Sequence, residues 1–252
     1  MKTLEHTISD GVTERSFILG EVPGVLWTPT TVTAPAPLVL MGHGGGLHKR
    51  SPDLVARARR YVARYGFSVA AIDSPGHGER PRSVRDQQWV AKMLQARESG
   101  RPMGPIIAEY NGSLAERAIG EWRATIDALQ ELPEIGPDAP IGYSGMTLAS
   151  AIGLPLITVE PRISAAVVGG VFVYDVLMAA ARMITIPIRF LLPWDDHEID
   201  RQTGLDLFDA FGSTEKSLLA TTGGHHELPS YVADEAARFF VRQFGRSAAV
   251  TT

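Results

Sequence analysis

Two hydroxyls stand where a nucleophile could be carried, Ser144 and Thr147, in the stretch Pro140-Ile141-Gly142-Tyr143-Ser144-Gly145-Met146-Thr147-Leu148-Ala149. The stretch reads as a short strand, a sharp turn and then an apolar helix through Leu156. A strained turn of this kind, a nucleophile elbow, presents one side chain at the C-terminal edge of a sheet. The usual G-x-S-x-G form is absent, so sterics must choose between the two. The elbow packs strand against helix, and the residues two before and two after the nucleophile must be small. Thr147 has Gly145 and Ala149 there, whereas Ser144 has Gly142 but also Met146. Taking Thr147 gives a strand from Ile141 to Gly145. Taking Ser144 leaves only Ala139-Pro140-Ile141 ahead of its glycine, and Pro140 has no N–H for a ladder. Thr147 fits better, with Ser144 as the second candidate.

An attacking hydroxyl needs a base to take its proton and a group to orient that base. Both types follow in the chain, each just past a predicted strand. Asp195 and Asp196 come after Pro193-Trp194, and His225 and His226 come after Gly223-Gly224. Earlier, the strand Leu38-Val39-Leu40-Met41 opens into Gly42-His43-Gly44-Gly45-Gly46, where glycine lets backbone N–H groups approach a ligand closely. In an open parallel sheet these strand ends line one crevice.

The elements that would hold these groups can be read in order. Ser16 to Trp27 is hairpin-like, with Pro23-Gly24 between two apolar stretches. After Leu38–Met41 come a helix from about Asp53 to Tyr65 and a buried strand Phe67–Asp73, which runs into Ser74-Pro75-Gly76-His77-Gly78. Strand, helix, strand implies a parallel sheet. From Glu79 to Asn111 the pattern loosens, with Arg82, Arg85, Arg97 and Arg101 among Trp89, Met93, Leu94 and Met103. The segment at about 79–113 reads as an insertion over one end of the sheet, its arginines a solvated face. An amphipathic helix follows from Leu114 to Leu132. Beyond the elbow come the strand Ile163–Val168, a helix Asp175–Met183 and the strand Ile188–Leu192. A helix Leu205–Phe211, a strand Ser217–Ala220 and a last helix Pro229–Phe244 follow, with 246–252 as a frayed tail.

Composition bounds the rest. The 252 residues suit one α/β domain, 44% apolar and 21% charged. A net charge of −4 gives no reason to expect nucleic acid or an anionic membrane as partner. No cysteine means no disulfide and no thiol chemistry. The polar start Met1–Val12 is unlike a signal peptide, and no apolar run reaches spanning length, so a cytoplasmic protein without membrane attachment is expected. A homodimer is left open. His43, His77, Asp195 and His225 lie near strand ends, but no H-x-H or H-E-x-x-H spacing supports a metal, and no cofactor is expected.

Taken in order, these motifs resemble the α/β-hydrolase superfamily, in its dienelactone-hydrolase-like and small-esterase branch. The resemblance covers nearly everything from Ser16 to Phe244. It rests on His43-Gly44-Gly45-Gly46, Asp73-Ser74-Pro75-Gly76-His77-Gly78, the elbow, the Asp-Asp turn and the Gly-Gly-His loop. It implies a mostly parallel central sheet with helices on both faces and the chain order hydroxyl, acid, histidine. The departure is Thr147, where the family has serine or cysteine. Carried over, Thr147 attacks an acyl carbon, His225 is the general base and Asp196 orients the imidazole. Gly45 and Leu148 would supply the oxyanion-hole N–H groups. Asp196 is preferred to Asp195 because it lies three residues past Pro193, and His225 to His226 because it directly follows the glycine pair. His43 is read as a brace for its glycine turn, and Asp73 and His77 as fixing their own loop. The substrate implied is a small ester, lactone or thioester. The alternatives are a non-hydrolytic enzyme of the same fold (lyase, cyclase or C–C bond cleavage, with His225 as acid–base) and a binding protein with a degenerate triad.

Overall fold

Alternation explains the centre of the molecule. Leu38 and Leu40 pack into one apolar cluster and Val39 and Met41 into another, so the strand Leu38–Met41 is covered on both faces. Val69 and Ala71 oppose Ala70 and Ile72 in the same way, as Ala165 and Val167 oppose Ala166 and Val168. Strands buried on both sides must be apolar at every position. Their near-continuous Val, Ile, Leu and Ala content meets that demand.

The computed structural model describes residues 1–31, 35–225 and 227–245. Among them the chain runs β1 (Lys2–Ser9), β2 (Val12–Leu19), β3 (Val22–Pro29), β4 (Leu38–Met41), α1 (Pro52–Tyr65), β5 (Ser68–Ile72), α2 (Val84–Glu98) and α3 (Gly104–Gln130). It continues through β6 (Ile141–Met146), α4 (Leu148–Val159), β7 (Ile163–Gly169), α5 (Asp175–Met183), β8 (Ile188–Pro193), α6 (Arg201–Ala210), β9 (Lys216–Thr221) and α7 (Tyr231–Gln243). The strands form one sheet in the order β1-β2-β3-β5-β4-β6-β7-β8-β9. From β5 to β9 neighbours are parallel, while β1, β2 and β3 are joined antiparallel at one side. α1 and α7 cover one face, with Tyr61, Phe239 and Phe240 in the cluster; α3, α4, α5 and α6 cover the other, with Trp122, Leu154, Leu177 and Leu207. Each large side chain so buried contributes roughly 1.5–3 kcal/mol. No helix among the described residues is long and apolar enough to cross a membrane.

Two expectations need correction, the hairpin turn and the start of the long helix. The hairpin turn is not Pro23-Gly24, which lies inside β3; β2 turns at Gly20-Glu21, where Gly20 has φ +59°. Gly24 is in the strand for packing reasons, since a Cβ there would sit 2.1 Å from the Phe17 ring. The polar start forms β1, whose eight residues are all exposed; without a buried face it leaves no alternation to read.

The loose pattern from Glu79 to Asn111 holds α2 and the start of α3. α2 buries only Asp86 and Ala96, which explains its weak signal. A capping box starts it: the Ser83 side chain accepts from the Asp86 N–H, and the Asp86 carboxylate accepts from the Ser83 N–H. α3 begins at Gly104, inside the expected insertion, and runs 27 residues unbroken. Asp86 ties α2 to α3 through two Arg117 hydrogen bonds of 2.6 and 3.2 Å, and Trp89 stacks on Tyr110 at 6.3 Å. Burial disfavours the Asp86 charge, but Arg117 and Ser83 outweigh it and pull its pKa down to about 2. The expected tail at 246–252 lies outside the described residues.

Candidate active site

The bend between β6 and α4 falls at Thr147, with φ 57° and ψ −118°. A β-branched residue resists this backbone, at a cost of about 1–3 kcal/mol, and keeps it only where its surroundings over-determine it. They do. Gly145 lies so close to Ala149 that a Cβ on it would come within 2.4 Å of the alanine methyl. Gly42 meets the same methyl, at 2.5 Å from a notional Cβ. The Thr147 N–H donates to the Gly169 carbonyl at 3.1 Å. Ser150, fully buried, lies 2.8 Å from the Gly145 carbonyl and 2.9 Å from that of Gly169, and accepts from the Gly169 N–H at 2.9 Å. Tyr143 donates to the Ala149 carbonyl at 2.7 Å. Ser144 sits inside β6, buried, opposite Met41 and Val167 and three residues short of the bend.

Past β8 the two aspartates do different things. Asp195 accepts from the Gly223 N–H at 3.0 Å and so stitches its loop to the glycine pair. Asp196 turns the other way. Its Oδ1 accepts from the N–H groups of Glu198 (2.8 Å) and Ile199 (3.0 Å), and its Oδ2 accepts from His225 Nδ1 at 2.7 Å. Both side chains are nearly buried, 8% exposed for His225 and 3% for Asp196. That bond points Nδ1 at the carboxylate and turns Nε2 to the other side of the ring. Phe172, after β7, lies 6.4 Å from the His225 ring, centroid to centroid. Phe172 in turn borders Gly104, the first residue of α3. His226 lies outside the described residues.

The glycine turn faces the elbow from β4. A Cβ on Gly44 would lie 2.9 Å from Thr147 Oγ1 and 3.5 Å from Leu47, so Gly44 is required by the closeness of that hydroxyl. Thr147 as a residue is partly exposed, yet its Oγ1 is buried and has no hydrogen-bond partner. The hydroxyl is therefore directed at the glycine turn and is not bonded to His225. Among the described residues the N–H groups of Gly44, Gly45 and Leu148 make no backbone hydrogen bond. His43 accepts the Ser74 N–H on Nε2 at 3.0 Å and donates from Nδ1 to the Gly44 carbonyl at 2.9 Å. Burial is the main reason its pKa falls to about 4, and the neighbouring His77 lowers it further. His77 donates to the Pro75 carbonyl at 2.9 Å, and burial lowers its pKa as well.

The structure thus joins Asp196 to His225, brings Thr147 to the glycine turn, and leaves Ser144 in the sheet. Among the described residues no group of three or more His, Asp or Glu is arranged to hold a metal. Sequence reasoning missed Ser150, Lys49 and Phe172. Ser150 had a signal, as a lone hydroxyl in an otherwise apolar helix start. Lys49, two residues past Leu47, had none.

No protein-family model and no curated protein matches the sequence. Solved structures do. One is a PEG-bound cold-adapted esterase from an Arctic intertidal metagenomic library, 29% identical, TM-score 0.78, covering 97% of this chain and 100% of that one. Acetyl xylan esterase 1 from Thermoanaerobacterium sp. JW/SL YS485 is 14% identical with TM-score 0.71, over 96% of this chain and 87% of that one. Est1E from Butyrivibrio proteoclasticus, with ferulic acid bound, is 12% identical with TM-score 0.66, over 96% and 100%. With its parallel sheet, its strained strand-to-helix bend and these likenesses, the chain is an α/β-hydrolase by fold.

Proposed function

We propose that the protein hydrolyses a small carboxylic ester, lactone or thioester through an acyl-enzyme on Thr147. The observation that carries this reading is the buried Asp196–His225 hydrogen bond, beside a sheet edge whose elbow holds Thr147 at φ 57°. The cold-adapted esterase that is 29% identical over 97% of this chain supports ester hydrolysis as the reaction class.

In the reaction, Thr147 Oγ1 turns from Gly44 towards His225 and attacks the acyl carbon as Nε2 takes its proton. The carbonyl π bond becomes an oxyanion, met by the N–H groups of Gly45 and Leu148 at the N-terminus of α4, where the helix dipole favours negative charge. Collapse expels the alkoxide or thiolate, which takes the proton from Nε2. Water then attacks the acyl-enzyme, giving its proton to His225, and the carboxylic acid leaves as Oγ1 is reprotonated. Asp196 holds the ring and stabilises the imidazolium. α2 and the start of α3, with Phe172 beneath, form the insertion over this site.

The test is turnover of short p-nitrophenyl esters by the purified protein, with Thr147→Ala alongside. The variant should lose about 10³-fold or more in kcat/KM. Equal rates in the two proteins would remove Thr147 from the mechanism. One observation favours a second reading: Thr147 Oγ1 is not bonded to His225. In that reading the hydroxyl only donates to substrate while His225 does acid–base work on carbon. Mass spectrometry after a substrate quench separates the two, since only the first leaves an acyl group on the protein.

A further inference from the structure

The glycine turn is tied down at both ends to the same neighbouring segment. Before it, His43 holds Ser74 and the Gly44 carbonyl. After it, Lys49 is buried to 3% exposure against Asp73, which is wholly buried. Lys49 Nζ donates to Asp73 Oδ2 at 2.7 Å, and the Lys49 backbone N–H donates to Oδ1 at 2.8 Å. The same carboxylate takes the Glu79 N–H at 3.0 Å, and Lys49 Nζ also reaches Glu79 Oε1. Arg80 donates to the Asp73 carbonyl at 3.1 Å and forks onto Glu121 of α3 with two bonds of 2.7 Å. Burial raises the cost of the Asp73 charge, but Lys49 and the two amides outweigh it and hold its pKa below the usual carboxylate range.

Burying a lysine and an aspartate together is a poor way to gain stability, because desolvation offsets most of their attraction. What the pair does supply is a fixed position. Side chain and backbone of one residue bond both oxygens of one carboxylate, which leaves Lys49 no freedom to slide. Between the clamps at 43 and 49 the turn closes on itself through the Leu47 N–H to the Gly44 carbonyl at 3.2 Å, and His48 is tied to Ser51, while the N–H groups of Gly44 and Gly45 make no backbone hydrogen bond.

We infer that Lys49 is a positioning residue: its ion pair with Asp73 locks the far end of the glycine turn so that the Gly45 N–H stays aimed at the developing oxyanion. This rests on the proposed ester hydrolysis. A preorganised donor is effective because it needs no reorganisation as charge appears, and a turn free at one end loses that advantage.

The experiment compares wild type, Lys49→Met and the charge-balanced double variant Lys49→Met/Asp73→Asn. The double variant keeps the question open if the single one, left with an uncompensated buried carboxylate, fails to fold. On p-nitrophenyl acetate, kcat and kcat/KM should fall together by about 10- to 100-fold, with KM changed by less than about twofold. The inhibition constant of a trifluoromethyl ketone, which binds as an oxyanion adduct, should rise by the same factor. Hydrogen exchange at the amides of residues 44–47 should speed up about 10-fold or more while that of α4 holds. A folded double variant with wild-type kinetics and exchange overturns the inference, as does a lowered melting temperature with unchanged kcat per folded molecule. If the wild type hydrolyses no ester, the proposed function fails instead, and exchange at 44–47 alone decides whether the clamp exists.

Discussion

Among the described residues two other than glycine hold a positive φ, Asp10 at 51° and Thr147 at 57°, and they do so for opposite reasons. Asp10 sits with Gly11 in the two-residue turn between β1 and β2, exposed, where right-handed strand twist favours positive φ at both positions. Aspartate tolerates that conformation, and nothing else in the fold needs to impose it. Thr147 is β-branched and held by Gly145, Ala149, Gly169 and Ser150 from three sides. One strained residue is a local solution to a turn; the other is strain that the whole sheet edge maintains. Only the second is expected to be coupled to chemistry.

Releasing both should break the comparison most clearly. Thr147→Gly should abolish p-nitrophenyl ester turnover, by about 10³-fold or more, while raising stability: strain of about 1–3 kcal/mol is relieved, less about 0.5–1 kcal/mol of added chain entropy. Asp10→Gly should leave turnover intact and move stability by less than about 0.5 kcal/mol. Denaturant unfolding of the two variants reads both numbers, and a destabilised Thr147→Gly would show the elbow to be unstrained.

Acid should separate the regions next. His43 has its folded pKa near 4, below the unfolded value of 6.5, so the unfolded chain binds its proton first. Its contribution is complete above about pH 6.5 and is lost as pH falls towards 4, up to about 3 kcal/mol. Subtracting the melting curve of His43→Gln isolates it from His77, which shifts the same way, and from Asp86, whose loss comes below the ordinary carboxylate pKa. A difference that does not change with pH between 4 and 6.5 would contradict the assigned hydrogen bonds. A smaller loss than that of His43 is expected of Ser150→Ala, which leaves the Gly169 N–H and a buried carbonyl short of a partner and should cost about 1–2 kcal/mol in the same unfolding assay.

The parallel half of the sheet was readable because buried strands must be apolar throughout. Sterics and strand length put the bend at Thr147: the smallness of Gly145 and Ala149 and the missing N–H of Pro140 are local demands, and local demands are written locally. β1 and α2 were unreadable for the converse reason, since elements that bury almost nothing carry no pattern. The clamp on the glycine turn was equally hidden, because Lys49 and Asp73 lie 24 positions apart and meet only once β4 and β5 are side by side.

α3 carries a mechanical consequence. At 27 residues it is a rod of about 40 Å, rooted by Trp122, Ile126 and Leu129 in the interior, whose leading end stands next to Phe172. A rod anchored along its length cannot fold back at its tip. Any loosening of the pair would therefore fall to α2, which is held to the rod by the Arg117 fork on Asp86 and by Trp89 stacked on Tyr110.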